Sequence, residues 1–164
     1  MDDVVSAEAS QYVLFRLGDE HYGLNIKRVQ SIIRFEKPTP VPRAPAGVEG
    51  VFNLRGQVIP LVDLGKVLLG REISPTPASR VIVAESALGS LGLAVDMVCE
   101  VATIDAADVR PAPAAALGTE MNEAFEGVVS HEERLVILLD IDKALPRPVY
   151  TAVGELGQED GMDV

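Results

Sequence analysis

One stretch of this chain occurs twice. Gly50 to Leu68 reads GVFNLRGQVIPLVDLGKVL, and Gly127 to Leu145 reads GVVSHEERLVILLDIDKAL. Gly50 aligns with Gly127, Asp63 with Asp140, Lys66 with Lys143 and Leu68 with Leu145, a spacing of 77 residues (127 − 50). Each copy reads as two apolar strands about a tight corner, followed by a short helix that the aspartate caps. The upstream segments repeat as well. Val81-Ile82-Val83 answers Tyr12-Val13-Leu14, and Gly92-Leu93-Ala94-Val95 answers Gly23-Leu24-Asn25-Ile26, at a spacing of 69 (92 − 23). Val98 answers Val29 and Val101 answers Ile32. The added residues fall between Ala102 and Gly127, in a segment rich in Pro, Ala and acids. The chain is thus a duplicated unit of about five short strands.

Neither unit can bury enough surface to stand alone. Val58-Ile59-Pro60-Leu61-Val62 has no polar alternation, so that strand is covered on both faces. In a small barrel one face fills the interior and the other meets a second layer. The expected fold is therefore mainly β: two five-stranded barrels sharing an interface core, with short helices. Pro60, which lacks a ladder donor, belongs at a bend, a bulge or an unpaired stretch of its strand. Subdomain one covers about residues 12–70 and subdomain two about 79–146, with 1–11 and 147–164 as flexible tails. Asn25 caps a single helical turn over 26–30, and Asp63 and Asp140 cap the two repeated helices. The second of these stops at Pro146 and Pro148. Pro38, Pro40, Pro42 and Pro45 make a stiff extended connector.

Composition narrows the function. Aromatic residues are 4% of the chain and Trp is absent, so the core is aliphatic. One cysteine, Cys99, excludes an internal disulfide and fits a reducing cytoplasm. No secretory leader and no membrane-spanning run is read. The formal net charge of −11 argues against phosphate-backbone binding.

Catalytic and metal motifs are missing. His21 and His131 stand alone in the sequence and read as surface turn residues, and Cys99 as a structural thiol on an apolar strand. There is no G-x-S-x-G, no phosphate-binding glycine loop and no dinucleotide fingerprint. No cofactor is implied. A catalytic protein or a nucleic-acid module on duplicated small barrels are the alternative readings, and the residue census and the acidic charge disfavour them. What remains is a surface. Arg55-Gly56 in the first copy is matched by Glu132-Glu133 in the second, a charge reversal that points to a role for the first corner that the second lacks. Val29, Ile32 and Ile33 are either core residues or part of an apolar groove for a partner helix.

The segment GVFNLRGQVIPLVDL, Gly50 to Leu64, resembles the signature of the CheW family of chemotaxis adaptor proteins. FRLGDEHYGLNIKRVQSI from Phe15 to Ile32, Thr39-Pro40-Val41-Pro42 and Arg110-Pro111-Ala112-Pro113 are similar to the same family. The resemblance runs from about residue 12 to 146. It implies two intertwined SH3-like barrels and a non-enzymatic, cytoplasmic role. Such adaptors couple the cytoplasmic tip of methyl-accepting chemoreceptors to the regulatory domain of a histidine autokinase, without contacting nucleic acid or inserting into the membrane themselves. By this resemblance Val29, Ser31, Ile32, Asn53 and Arg55 face the receptor. Val41, Pro42, Arg43, Arg110 and Ala112 face the kinase. Ser31 stands where some relatives carry an acid.

Overall fold

A computed structural model of the chain describes residues 9–111 and 125–159. Ten strands account for most of them. The first copy supplies β1 (Ala9–Leu17), β2 (Glu20–Asn25), β3 (Val29–Arg34), β4 (Val48–Leu54) and β5 (Gln57–Asp63), then helix α1 (Leu64–Leu69). The second supplies β6 (Arg80–Ser86), β7 (Gly89–Val95), β8 (Met97–Asp105), β9 (Phe125–His131) and β10 (Arg134–Leu139), then α2 (Ile141–Ala144). A final helix, α3, spans Arg147–Glu159. The duplication expected from the sequence is therefore present strand for strand.

The two copies do not each form their own sheet. One sheet has the order β8-β1-β2-β10-β9, and the other β3-β6-β7-β5-β4. Each copy lends its first hairpin to the last three strands of the other. The joints are two short parallel pairings, β2 with β10 and β5 with β7, while all other pairings are antiparallel. The sheets curl but do not close into barrels. Beyond its edge strand, each is joined across the seam by one isolated bridge, Thr39 with Val51 in one copy and Arg110 with Val128 in the other. These are corresponding positions on the two connectors.

The glycines that head the repeat sit under these bridges. A Cβ on Gly50 would meet the Thr39 carbonyl oxygen at 2.2 Å, and one on Gly127 would meet the Arg110 carbonyl oxygen at 2.7 Å. The connector backbone crosses too close for any side chain.

Burial follows the two-faced strands. Val13, Phe15, Tyr22, Leu24, Val62, Ile82, Leu91, Leu93 and Leu139 form one cluster shared by both sheets. Tyr12, Leu14, Val136 and Leu138 fill the concave side of the first sheet, and Phe52, Ile59, Leu61, Val81 and Val83 that of the second. On β5, Ile59 and Leu61 enter the inner cluster while Val62 enters the shared one. That explains an apolar run without alternation. Pro60 pairs with Val51 on β4, and the parallel ladder to β7 begins only at Leu61, so the missing donor falls where β5 has no β7 partner.

The caps form as the sequence predicts. The Asn25 side chain accepts from the Lys27 N–H at 2.9 Å, over a 3-10 turn at Ile26–Arg28. Asp63 accepts from Lys66 N at 3.0 Å and also from Ile73 N at 3.1 Å, tying the linker to the end of β5. Burial pushes its carboxyl up, and these backbone donors oppose that shift. Asp140 accepts from Asp142 N at 3.1 Å.

Two expectations are corrected. Ala9–Gln11 belong to β1 rather than to a loose lead-in. The chain also does not lose its order at Pro146. Helix α3 follows at once, and its Val149 and Val153 are buried in the shared cluster. Pro148 lies in the first turn, where its missing N–H costs no helical bond. Asp142 ties this region together, accepting from the Arg28 guanidinium, from Ala87 N at 2.8 Å and from the Tyr150 hydroxyl at 3.1 Å.

The two repeated hairpins turn alike. Arg55 and Gly56 have φ of 53° and 86°, and Glu132 and Glu133 of 50° and 66°. Two-residue loops with both φ positive are the primed type, which favours Asn-Gly. Glu133 holds that conformation without being glycine. We expect Glu133→Gly, which restores the residue of the first copy, to stabilise the chain by about 0.5–1 kcal/mol, raising Tm by roughly 2 °C. A melt unchanged or lowered would show that the turn is not strained.

Candidate functional site

The residues singled out from the sequence fall on two edges and two connectors. Val29, Ser31 and Ile32 lie on β3, the edge strand of the second sheet. Val29 is half-buried against the shared cluster, and Ile33 packs on the inner cluster of the second sheet. The core reading thus holds for these two. Ile32 is 38% exposed, a large apolar side chain directly opposite the fully buried Ile82.

Asn53 and Arg55 lie at the hairpin joining β4 and β5, and β4 is the other edge of that sheet. The Asn53 carboxamide oxygen accepts from Gly56 N at 3.0 Å, so this side chain builds the turn that carries Arg55. Arg55 is exposed at its tip, and among the described residues no carboxylate lies within ion-pair distance of it. An exposed, left-handed arginine at the tip of a turn holds its cation out from the sheet.

Val41, Pro42 and Arg43 sit on the connector between β3 and β4. Ala44 N donates to Val41 O at 3.3 Å, and Arg43 has a φ of 61°, which turns the chain there. Arg43 and Pro45 border a shallow depression of about 450 Å³ whose other wall is α3, through Arg147, Pro148, Thr151 and Glu155. The last helix therefore extends the connector's surface, which the sequence reading missed. Its signal was available in Val149 and Val153, spaced four apart.

Arg110 is exposed on the opposite connector, where its backbone exchanges two hydrogen bonds with Val128, at 2.7 and 2.9 Å. It borders a groove of about 1170 Å³ that also takes in His21, Val128, Arg134, Leu135 and Ile137. Leu135 is 70% exposed in that wall. Ala112 lies outside the described residues.

Both histidines are in strands rather than turns. His21, on β2, lies 3.1 Å from the Arg134 guanidinium. Burial pulls its pKa down, and Arg134 and Arg16 act in the same direction. His131 ends β9, with Nε2 3.6 Å from Glu100 Oε1 on β8 and 4.0 Å from Glu132 Oε1. β8 and β9 are opposite edges by pairing, so this approach measures how far the sheet has curled. Cys99 is exposed on β8 rather than packed. No helix among the described residues is long and apolar enough to cross a membrane.

Comparison with known proteins agrees with this geometry. Residues 11–149 match the CheW-like domain. The chain is 37% identical over 136 residues to a chemotaxis protein CheW of Rhizobium meliloti (strain 1021), covering 83% of this chain and 87% of that one. It is 31% identical to protein FrzA of Myxococcus xanthus, over 93% of this chain and 97% of the other. The crystal structure of the scaffolding protein TtCheW from Thermoanaerobacter tengcongensis superposes with a TM-score of 0.74 at 31% identity, covering 82% of this chain and 86% of that one. The chain belongs to the CheW family, the non-catalytic scaffolding and coupling proteins of chemotaxis.

Proposed function

We propose that this chain couples the cytoplasmic tip of a methyl-accepting chemoreceptor to the regulatory domain of a histidine autokinase, in the cytoplasm, through two separate faces. The receptor face comprises Val29, Ser31, Ile32, Asn53 and Arg55. The kinase face comprises Val41, Pro42, Arg43, Arg110 and Ala112. The observation that carries the receptor assignment is the exposed Arg55, held at a tight turn with no carboxylate among the described residues within ion-pair distance.

The duplication gives further support. In the second copy, Glu100 and Glu132 are brought to the same imidazole across the seam. Their first-copy counterparts are Ser31 on the β3 edge and Arg55 at the β4–β5 hairpin, and the Thr39–Val51 bridge ties the connector that follows β3 to β4. A partner helix then meets Ile32 as an apolar anchor and Arg55 as a donor to a carboxylate or carbonyl. The adaptor does no bond chemistry. It transmits a signal by changing how receptor and kinase sit against it.

Arg55→Ala is expected to weaken receptor-tip binding about tenfold or more, the cost of losing one charge-assisted hydrogen bond. Titration calorimetry against a soluble receptor tip measures it. Binding of the kinase regulatory domain and the thermal melt should not change, since the Arg55 side chain is exposed and forms no ion pair among the described residues. Receptor affinity within twofold of wild type would remove Arg55 from the receptor face.

A further inference from the structure

The seam between β8 and β9 holds more than the bridge at Arg110. His131 Nε2 is screened from solvent and, among the described residues, has no hydrogen-bond partner. An unmade bond of this kind costs about 1–3 kcal/mol. Two carboxylates stand at ion-pair rather than hydrogen-bond distance from it, with Glu100 Oε1 at 3.6 Å and Glu132 Oε1 at 4.0 Å. All three donor atoms lie within 4.8 Å of one another.

These gaps exceed an N–H···O hydrogen bond, which spans about 2.7–3.2 Å. They are close to what a shared ion requires. Donors about 2.1 Å from a tetrahedral zinc stand roughly 3.4 Å from each other. We propose that Glu100, His131 and Glu132 form a binding site for a divalent cation of the zinc class, bridging the two edges of the first sheet. One imidazole nitrogen with two carboxylate oxygens suits zinc. Calcium and magnesium take all-oxygen shells of six or more ligands. Three protein ligands leave a fourth position for water or for a group from a partner protein.

Access and divergence both fit this reading. The Glu100 and Glu132 side chains are 43% and 71% exposed, so an ion can enter from solvent. The matching first-copy positions are Ser31, Leu54 and Arg55, which offer no such donor set. The site is therefore a property of the second copy alone. With the ion bound, β8 and β9 are tied where no backbone ladder joins them, and the second connector with Arg110 is fastened near its base.

The test is zinc titration of the full chain at neutral pH in the Cys99→Ser background, which removes the one free thiol. Calorimetry should give one zinc per chain. Substoichiometric zinc should move the His131 ring resonances and leave those of His21 in place. Zinc should raise Tm, as any ligand of the folded state does. His131→Gln, Glu100→Gln and Glu132→Gln should each weaken binding by at least the tenfold or so that even an outer-shell loss costs. Glu132 is on an exposed turn, so its variant keeps the test open should His131→Gln fold poorly by circular dichroism. Absence of zinc uptake, uptake that survives Glu132→Gln undiminished, uptake lost on replacing Cys99, or a response confined to His21 would each overturn the proposal.

Discussion

Gly50→Ala is expected to unfold about 10 °C below the wild type. The added Cβ would lie 2.2 Å from the Thr39 carbonyl oxygen, 2.7 Å from its carbon and 3.1 Å from Pro40 Cα. These are backbone atoms, which cannot swing aside as a side-chain tip can. Gly50 also has a φ of 147°, which residues with a Cβ rarely adopt. The connector must therefore retreat and give up both hydrogen bonds between Thr39 and Val51, at 2.8 and 2.9 Å. Overpacking, backbone strain and the lost bridge together come to roughly 3–4 kcal/mol. For a chain of this size each kcal/mol moves Tm by about 2–4 °C.

If Val41, Pro42 and Arg43 form the kinase face proposed above, the same substitution should weaken kinase-domain binding, because they ride on the displaced connector. Gly127→Ala should do the corresponding damage to the Arg110 bridge, where the added atom would meet Val109 Cγ1 at 2.5 Å. Differential scanning calorimetry on both variants is decisive. A Tm for Gly50→Ala within 2 °C of wild type would mean that the close crossing is not why glycine heads the repeat.

Phe15→Ala is expected to cost about 3–5 kcal/mol, as is usual when a buried aromatic side chain is removed. Phe15 is fully buried and stacks on Tyr22 with ring centroids 5.8 Å apart. It belongs to the cluster both sheets share. The more discriminating outcome is the form of unfolding. Since each sheet contains strands from both copies, the loss should not be confined to one of them. Urea unfolding should remain a single transition, shifted to lower urea. Amide protection should fall in β7 and β5 as well as in β1 and β2. Two separated transitions, or protection retained throughout the second sheet, would show that the sheets are energetically independent.

Much of this architecture was legible from residue pattern. The repeat set the number of strands. The caps at Asn25, Asp63 and Asp140 were readable because a short polar side chain before an apolar turn has one favoured use. Pro60 was placed where a missing donor does least harm. The exchange of hairpins was not readable from the repeat itself, which shows which segments are alike but not which neighbour each pairs with; only the family resemblance implied that the two units intertwine. Helix α3 was hidden behind Pro146 and Pro148, which mark a helix start as readily as a stop. The three donors at the seam were equally hidden. Glu100 sits on one strand and His131 and Glu132 at the end of another, and only the curl of the sheet brings them together. Of the residues proposed for interaction, Arg55 drew attention through its charge reversal between the copies. The connector residues Val41 to Arg43 and Arg110 carried no such mark and are proposed only on the family resemblance.

Strand exchange between the copies has a historical corollary. A forebear with only one unit would have had an unfilled place in its sheet and a hairpin with nowhere in its own chain to dock. Two such molecules could satisfy one another only by trading arms, giving a symmetric pair. Gene fusion would then have made the partnership permanent and released the twin halves from sameness. The fused halves were then free to differ, as they do where one corner carries Arg55 and the other Glu132 and Glu133.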